Sequence, residues 1–468
     1  MEEFQLFRAP MDLRVDTRQR SVLVRTSLAS FMAALDAMVV TTALTTTLRL
    51  ASWQRCAMAL AMAATPWAWA DGNPSDAGGF VLEPGWLSGS VRGAYWSGSR
   101  KLDDERDLAA ASLWLKAEAH TGDVSSVAQG WVMNDELDRH APARTLLREA
   151  YLQYSRGPMT VRLGRQLIVW GRADQVNPTD NLTPRDYTLL VPDVGDERFG
   201  TLALQASRRF GDYTISGLWL PRFRPHVVPL AAEFAVTEVL PSSARQWGLK
   251  LDHSASSGID WSASWYSGFD LSPSLRPNQQ APGTIDATHP RIQVAGVDFA
   301  VPIGGLGLRG EAAYTWTAKG WQTEPLAKKP FFFGVLGVER TFGGTLNVNL
   351  QAYSYRVTGF SDPRELRDPV LRALAVAQAV GAHQIDQWEH GLTLRIADKW
   401  WNEALEGEVV LVSSLGRKSH AVRPRVTYAF DDHVRMTVGA DVFRGSGETS
   451  FGQLRANSAA LAELRFSW

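Results

Sequence analysis

From about residue 71 onward, apolar and polar side chains alternate at every second position, in runs of roughly ten residues. Between Thr345 and Tyr355, Leu346, Val348, Leu350 and Ala352 interleave with Asn347, Asn349, Gln351 and Tyr353. The same rhythm sets Val422, Pro424, Val426, Tyr428 and Phe430 against Arg423, Arg425 and Thr427. It also sets Val434, Met436, Val438, Ala440 and Val442 against Arg435, Thr437, Gly439 and Asp441. A period of two sends the two sets to opposite faces of an extended strand. No stretch of 18 apolar residues interrupts the pattern, which excludes a bundle of membrane helices for this part of the chain.

Tight-turn signals punctuate the runs at Gly122-Asp123, Gly157-Pro158, Gly211-Asp212, Ser257-Gly258, Gly304-Gly305, Gly343-Gly344, Trp401-Asn402 and Asp431-Asp432. Longer polar connections separate the resulting hairpins, notably at 171–199, 221–245, 270–290, 318–329 and 358–386. Eight short turns, with both chain ends on the same side, imply about 18 strands, give or take two. The expected fold is therefore all-β: a transmembrane antiparallel β-barrel with short periplasmic turns and long external loops. An open sheet of this size would leave unpaired backbone in lipid, so the sheet must close. Tyr95, Trp96, Trp131, Tyr154, Trp170, Tyr266, Trp400 and Trp401 lie near strand ends and suit interfacial girdles.

Composition narrows the function. The 48 basic side chains balance 49 acidic ones, so nothing supplies the basic excess that nucleic-acid binding requires. The one cysteine, Cys56, excludes a disulfide scaffold and a Cys-based metal site. It falls in a segment, residues 49–70, that runs from Arg49 and Arg55 through a short apolar stretch to Ala68-Trp69-Ala70. That order reads as an export signal cut after Ala70. Upstream, Ser27 to Leu44 resembles the first transmembrane helix of drug/proton antiporters of the major facilitator superfamily, over about twenty residues only. Residues 1–48 read as a start assigned too far upstream or a fusion remnant, against the alternative of a retained helix carrying Asp36. Residues 71–468 are the barrel.

With the apolar face toward lipid, the lumen collects Lys116, Glu118, His120, Lys250, Asp252, Arg309, Glu311, Arg395, Glu406, Glu408, Arg423, Arg425, Arg435 and Asp441. Arg395, Arg423, Arg425 and Arg435 lie on late strands and form a basic strip that would attract anionic or carboxylated solutes. The competing reading is that Glu406, Glu408 and Asp441 neutralise them as structural pairs.

The most distinctive stretch joins Glu149-Ala150-Tyr151, Arg162 to Gln166 and Trp170-Gly171-Arg172 to a loop holding Asp174, Asp180, Arg185 and Asp186. Over about 50 residues it resembles proteobacterial outer-membrane proteins of the DUF1302 type and alginate-export-like barrels, in which such a hairpin leads into an Asn/Asp/Pro-rich loop. The resemblance implies an outer-membrane location and a passive channel or export pore for a small organic or saccharide-like solute, not a catalyst. The C-terminal strand, ending in Phe466 and Trp468, resembles the signal by which outer-membrane barrels reach the barrel-assembly machinery.

Glu149 and Arg165 fall near opposite positions across the Gly157 turn, where an interior pair would set register. Strict alternation instead puts Arg165 with Leu163 and Leu167 on the lipid face, which calls for a bulge near Gly164. The 171–199 loop is long for a connection and suits a constriction folded into the pore. Asp174, Asp180, Asp186, Asp193, Asp196 and Glu197 would then oppose the late-strand arginines, weakened by Arg172, Arg185 and Arg198. A solvated external loop held by its own Asp–Arg pairs is the alternative. Asp362 to Ala382 carries a helical pattern that would cap the pore or pack on its rim.

No nucleophile elbow, His-Glu-x-x-His, Walker loop or dinucleotide fingerprint occurs. His383, Asp386, Glu389 and His390 lack metal-site spacing, and no cofactor is implied. The expected partners are outer-membrane lipid and a small solute, with self-association into a homo-oligomer left open. The rival reading is a plugged barrel that binds a partner protein, polysaccharide or lipid.

Overall fold

The structure is a computed structural model that describes residues 85–468 except 99–106, 135–136, 138–142, 229–234, 255–257 and the single positions 190, 244, 279, 282 and 319. The readings of residues 1–48 and 49–70 lie outside the described residues.

The first strands are β1 (Leu87–Gly98), β2 (Asp107–Thr121), β3 (Val124–Asn134), β4 (Arg144–Arg156), β5 (Met159–Gln166), β6 (Thr201–Phe210) and β7 (Tyr213–Leu220). There follow β8 (Ala235–Val239), β9 (Gln246–His253), β10 (Asp260–Phe269), β11 (Ser274–Pro277), β12 (Thr284–Thr288), β13 (Arg291–Ile303) and β14 (Leu306–Thr317). The last are β15 (Phe331–Phe342), β16 (Leu346–Val357), β17 (Trp388–Trp400), β18 (Leu405–Ser414), β19 (Ser419–Ala429), β20 (Val434–Arg444) and β21 (Ala459–Ser467). Eighteen of them form one antiparallel sheet, each paired to its neighbour in chain order; β8, β11 and β12 make a separate three-stranded sheet within the loops.

The sheet closes on itself. β21 pairs with β1 from Ser90 opposite Ser467 to Gly98 opposite Ala459. Gly89 and Trp468 extend the seam with amide-to-carbonyl bonds of 3.2 and 3.1 Å. A Cβ on Gly89 would lie 2.5 Å from the Trp468 ring, so glycine makes room for the terminal aromatic. Closure leaves no unpaired edge, as a spanning sheet requires.

All eight anticipated turns join adjacent strands at one end of the barrel. The two-residue turns need left-handed backbone, supplied for example by Gly304 at φ 56° and Gly305 at φ 80°. The opposite end carries the five expected long loops and four further connections, at 99–106, 135–143, 415–418 and 445–458. The 415–418 connection is as short as the turns at the other end, which is why length did not mark it.

The girdle expectation is half corrected. Tyr154, Trp400 and Trp401 are exposed on the outer wall, but Trp96, Trp131, Trp170 and Tyr266 are buried inside the barrel. Nearness to a strand end does not determine the face an aromatic occupies; its parity in the strand does. The outer wall carries Trp219, Trp247, Trp316, Phe332 and Trp388 near the long-loop end and Phe210, Tyr213, Phe342, Phe466 and Trp468 near the short-turn end, all exposed.

Candidate functional site

The 34-residue connection from β5 to β6, at 167–200, is folded into the lumen. Its entry is held by Glu149, whose carboxylate accepts from the Leu167 amide at 2.7 Å and from the Gln129 side chain. Thr183 closes the first bend, donating to the Ile168 carbonyl at 2.7 Å while accepting from the Ile168 amide at 2.9 Å. Ile168, Trp170 and Leu182 then pack on Ala203, Leu218, Leu220, Tyr266, Ile292, Val294 and Ala313 of the inner wall. Beside its charged residues the lumen therefore holds an apolar cluster.

Two carboxylates pin the loop to opposite walls. Glu311, on β14, accepts from the amides of Arg172 at 3.0 Å, Ala173 at 3.1 Å and Thr179 at 2.7 Å, and from the Thr179 hydroxyl at 2.8 Å. The carboxylate sits under Gly171, at φ 89°, where a Cβ would come within 2.4 Å of it. Arg172 reaches Asp298 of β13 at 2.6 Å. At the far end of the loop, Asp196 binds Arg92 of β1 at 2.7 Å and Arg148 of β4 at 3.0 Å, and Arg148 also donates to the Gly195 carbonyl at 2.6 Å. A second loop braces the middle: the Arg185 amide donates to Nδ1 of His226 at 2.9 Å, and burial pushes that imidazole down to about 4, so it stays neutral and can accept.

Between the pinned loop and the β17–β21 wall lies a cavity of about 690 Å³. Eight arginines line it: Arg172, Arg185 and Arg198 from the loop, and Arg395, Arg423, Arg425, Arg435 and Arg465 from the wall. Five carboxylates face them, those of Asp174, Asp193, Glu406, Glu408 and Glu463. Local pairing is extensive. Arg395 binds Glu408 at 2.6 Å, Asp441 takes Arg425 at 2.6 Å and Arg423 at 3.5 Å, and Arg465 meets Glu463 at 3.3 Å. Arg435 has no hydrogen-bond or ion-pair partner among the described residues and lies directly across the ladder from Arg465, which is itself opposite Arg92. Three like charges in register on adjacent strands repel one another and favour an anion beside them.

Arg425 also has a structural duty. Pro424 lacks an amide hydrogen, and the β19–β20 register is interrupted between Val422 and Arg425. The Arg425 guanidinium donates to the Ala440 carbonyl at 2.6 Å inside this gap. Gly439 opposite leaves space for it, since a Cβ there would lie 2.6 Å from Arg425 Cδ.

The expected acidic face is mostly spent within the loop. Asp174 and Asp193 line the cavity, whereas Asp180 binds Arg198 at 2.6 Å and Arg185 at 3.4 Å, and Asp186 accepts from the Thr188 amide at 3.0 Å. The Glu149–Arg165 pair does not form. Gln129 pairs with Glu149 and Gly130 with Leu147, so Arg148 is an extra residue in β4, and Arg165 faces Ala150 and donates to the Leu147 carbonyl at 3.0 Å. The irregularity lies in β4 at Arg148, while Gly164 of β5, at φ 134°, lies opposite Tyr151. Neither Glu149 nor Arg165 lines the cavity. Residue reading missed Arg92, Arg148, Asp298, Glu463 and Arg465; their inward parity was legible, but the loop groups they meet were not.

The helix α1 (Pro369–Gly381), capped by Asp368, packs among outer loops through Gln378, which accepts from the Leu275 amide at 2.8 Å, and lines no part of the cavity. His383 lies 3.1 Å from Glu389 and stacks on Tyr355, while Asp386 is held by Arg364 and Arg417; among the described residues no such cluster is placed to hold a metal.

Glu197 is a titrating element of the loop. Burial raises its carboxyl to about 7, against the opposing pull of Arg423 and Arg185. Burying it ionised costs nothing below its ordinary value of 4.5 and the full amount above pH 7, so the loop is held more firmly toward acid. Protonation also removes a negative charge next to the arginines. Anion preference of the lumen should therefore rise as pH falls from 8 to 6, and Glu197→Gln should flatten that profile. A parent with the same ion selectivity at both pH values would refute the assignment.

The family model described as a protein of unknown function, DUF1302, matches residues 90–331. No curated protein matches the chain. Among solved structures, Acinetobacter baumannii OccAB2 aligns with a TM-score of 0.50 at 9% identity, over 82% of this chain and 97% of that one. Pseudomonas aeruginosa OccK3 (OpdO) aligns at 0.48 and 13% identity, over 82% and 94%. A mutant of the Rh. blastica porin aligns at 0.39 and 14%, over 82% and 99%. At such identities the likeness to OccAB2 speaks for the fold.

Proposed function

The chain belongs to the DUF1302 family, and from that premise we propose that it is an outer-membrane channel for passive passage or export of a small anionic organic or saccharide-like solute, with no catalytic step. The observation that carries this reading is the cavity between the pinned loop and the β17–β21 wall, where arginines outnumber carboxylates eight to five. A cleft lined with excess cations concentrates anions and lowers their barrier to entry, while the guanidinium forks bind carboxylate or phosphate oxygens reversibly. The loop makes the narrow passage, and the short turns face the periplasm. In this reading residues 49–70 are the export signal, and Phe466 and Trp468 serve assembly.

Planar-bilayer recording of the refolded barrel tests it. Stable steps with anion preference are expected, and deletion of 171–199 should raise the step size by about twofold or more. An unchanged current after the deletion would remove the constriction.

The plugged-barrel reading keeps one observation in its favour, the apolar cluster through which Ile168, Trp170 and Leu182 pack on the inner wall. A folded barrel that passes no current would favour it.

A further inference from the structure

We infer that the outer wall of β16–β20, at the long-loop end, is a docking face for the phosphate-bearing headgroup of an outer-leaflet glycolipid. The inference rests on the membrane orientation proposed above. Tyr355, Glu389, Ser419 and Phe443 face inward: Tyr355 packs with Phe333, Glu389 meets His383, and Ser419 and Phe443 are buried. Alternation therefore turns Arg356, His390, His420 and Arg444 outward.

Register sets them along one rim, on β16, β17, β19 and β20. Arg356 lies opposite Trp388 and Ser354 opposite His390. Ser413 lies opposite His420, and His420 opposite Arg444. Lys418 is exposed in the turn that joins β18 to β19. The Arg356 guanidinium sits 5.1 Å over the Trp388 ring, and Trp388 stacks on His390 at 5.5 Å. An arginine spread over an interfacial tryptophan is held at headgroup depth.

Charge gives the class of ligand. Among the described residues no carboxylate pairs with Arg356, Lys418 or Arg444, whereas inside the same strands Arg395, Arg423 and Arg425 all have carboxylate partners. The outer wall below this rim is apolar, with Leu350, Ile396, Val409, Val426 and Val438 exposed, a bed for acyl chains. The β18–β19 connection is only 415–418, so no long loop from it covers the rim. A row of cations above an acyl-facing surface matches an amphiphile with phosphates at its head.

Native mass spectrometry of the detergent-purified full chain tests the assignment, with bisphosphorylated lipid A and its dephosphorylated form offered at equal concentration. The parent should retain the phosphorylated lipid about tenfold more than the other. Arg356→Gln/Lys418→Gln/Arg444→Gln should lose that preference while keeping the heat-modifiable gel mobility of a folded barrel. Arg208→Gln/Arg340→Gln, at the opposite rim, should keep it. Equal retention of both lipids by the parent, or equal loss in both variants, would overturn the proposal. Single-channel recording of the same samples reports on the pore separately, so a silent barrel that still selects the phosphorylated lipid sinks the channel reading alone.

Discussion

Alanine in place of Glu311 should roughly double or more the single-channel conductance, bringing it close to that of a barrel lacking 171–199. The carboxylate accepts four hydrogen bonds from Arg172, Ala173 and Thr179, and each bond to a charged acceptor is worth about 1.5–3 kcal/mol. Even with strong non-additivity, their loss exceeds the roughly 1.4 kcal/mol that changes a population tenfold, and three amides, that of Thr179 buried, lose their acceptor. The strand itself should survive, because the ladder bonds of β14 to β13 and β15 do not involve the side chain. Glu311→Gln keeps the shape and one acceptor oxygen and should give a noisier, intermediate current. A Glu311→Ala channel with the parent's conductance would mean that Asp298, Asp196 and the apolar cluster hold the loop without it.

The second large effect separates two arginines that look equivalent in sequence. Arg435→Glu should lower the anion-to-cation permeability ratio by about threefold or more while leaving heat stability near the parent's. Arg435 has no partner among the described residues, so its removal orphans nothing and relieves repulsion with Arg465. Arg425→Ala should do the reverse. Asp441 already offsets its charge, but the Ala440 carbonyl in the Pro424 gap loses its donor, at a cost of about 1–3 kcal/mol. A smaller selectivity change and a measurably lower unfolding temperature are expected. Equal selectivity losses in both variants, with equal stability, would show that the wall acts as an undifferentiated charge.

Much of the wall was legible in the sequence, because a strand's faces follow from a period of two and hairpins from their glycines. The alternation in 345–355 and the eight turns needed nothing but local chemistry. What was hidden depends on contacts across the lumen. Arg172 and Glu311 are far apart in the chain, and nothing in either segment says that a carboxylate of β14 will gather the amides of residues 172, 173 and 179 from a loop. The Glu149–Arg165 expectation failed on register: the unbroken β4–β5 ladder sets Arg165 opposite Ala150, so it and Glu149 lie on opposite faces. One extra residue, Arg148, reverses the parity of everything before it in β4, and the carboxylate its guanidinium meets, that of Asp196, is remote in sequence. Trp131 shows the same limit, since its inward side is set by strand parity and occupied by the Arg92 guanidinium 4.3 Å above its ring.

The seam between β1 and β21 is hydrogen-bonded like any other pair of staves, so the finished wall has no structural origin. A circular permutant that links Trp468 to Gly85 through a few flexible residues and opens new ends within 415–418 would preserve every neighbour relation around the circumference. The place where synthesis begins would then govern the order in which staves arrive, and the completed cylinder would carry no trace of it.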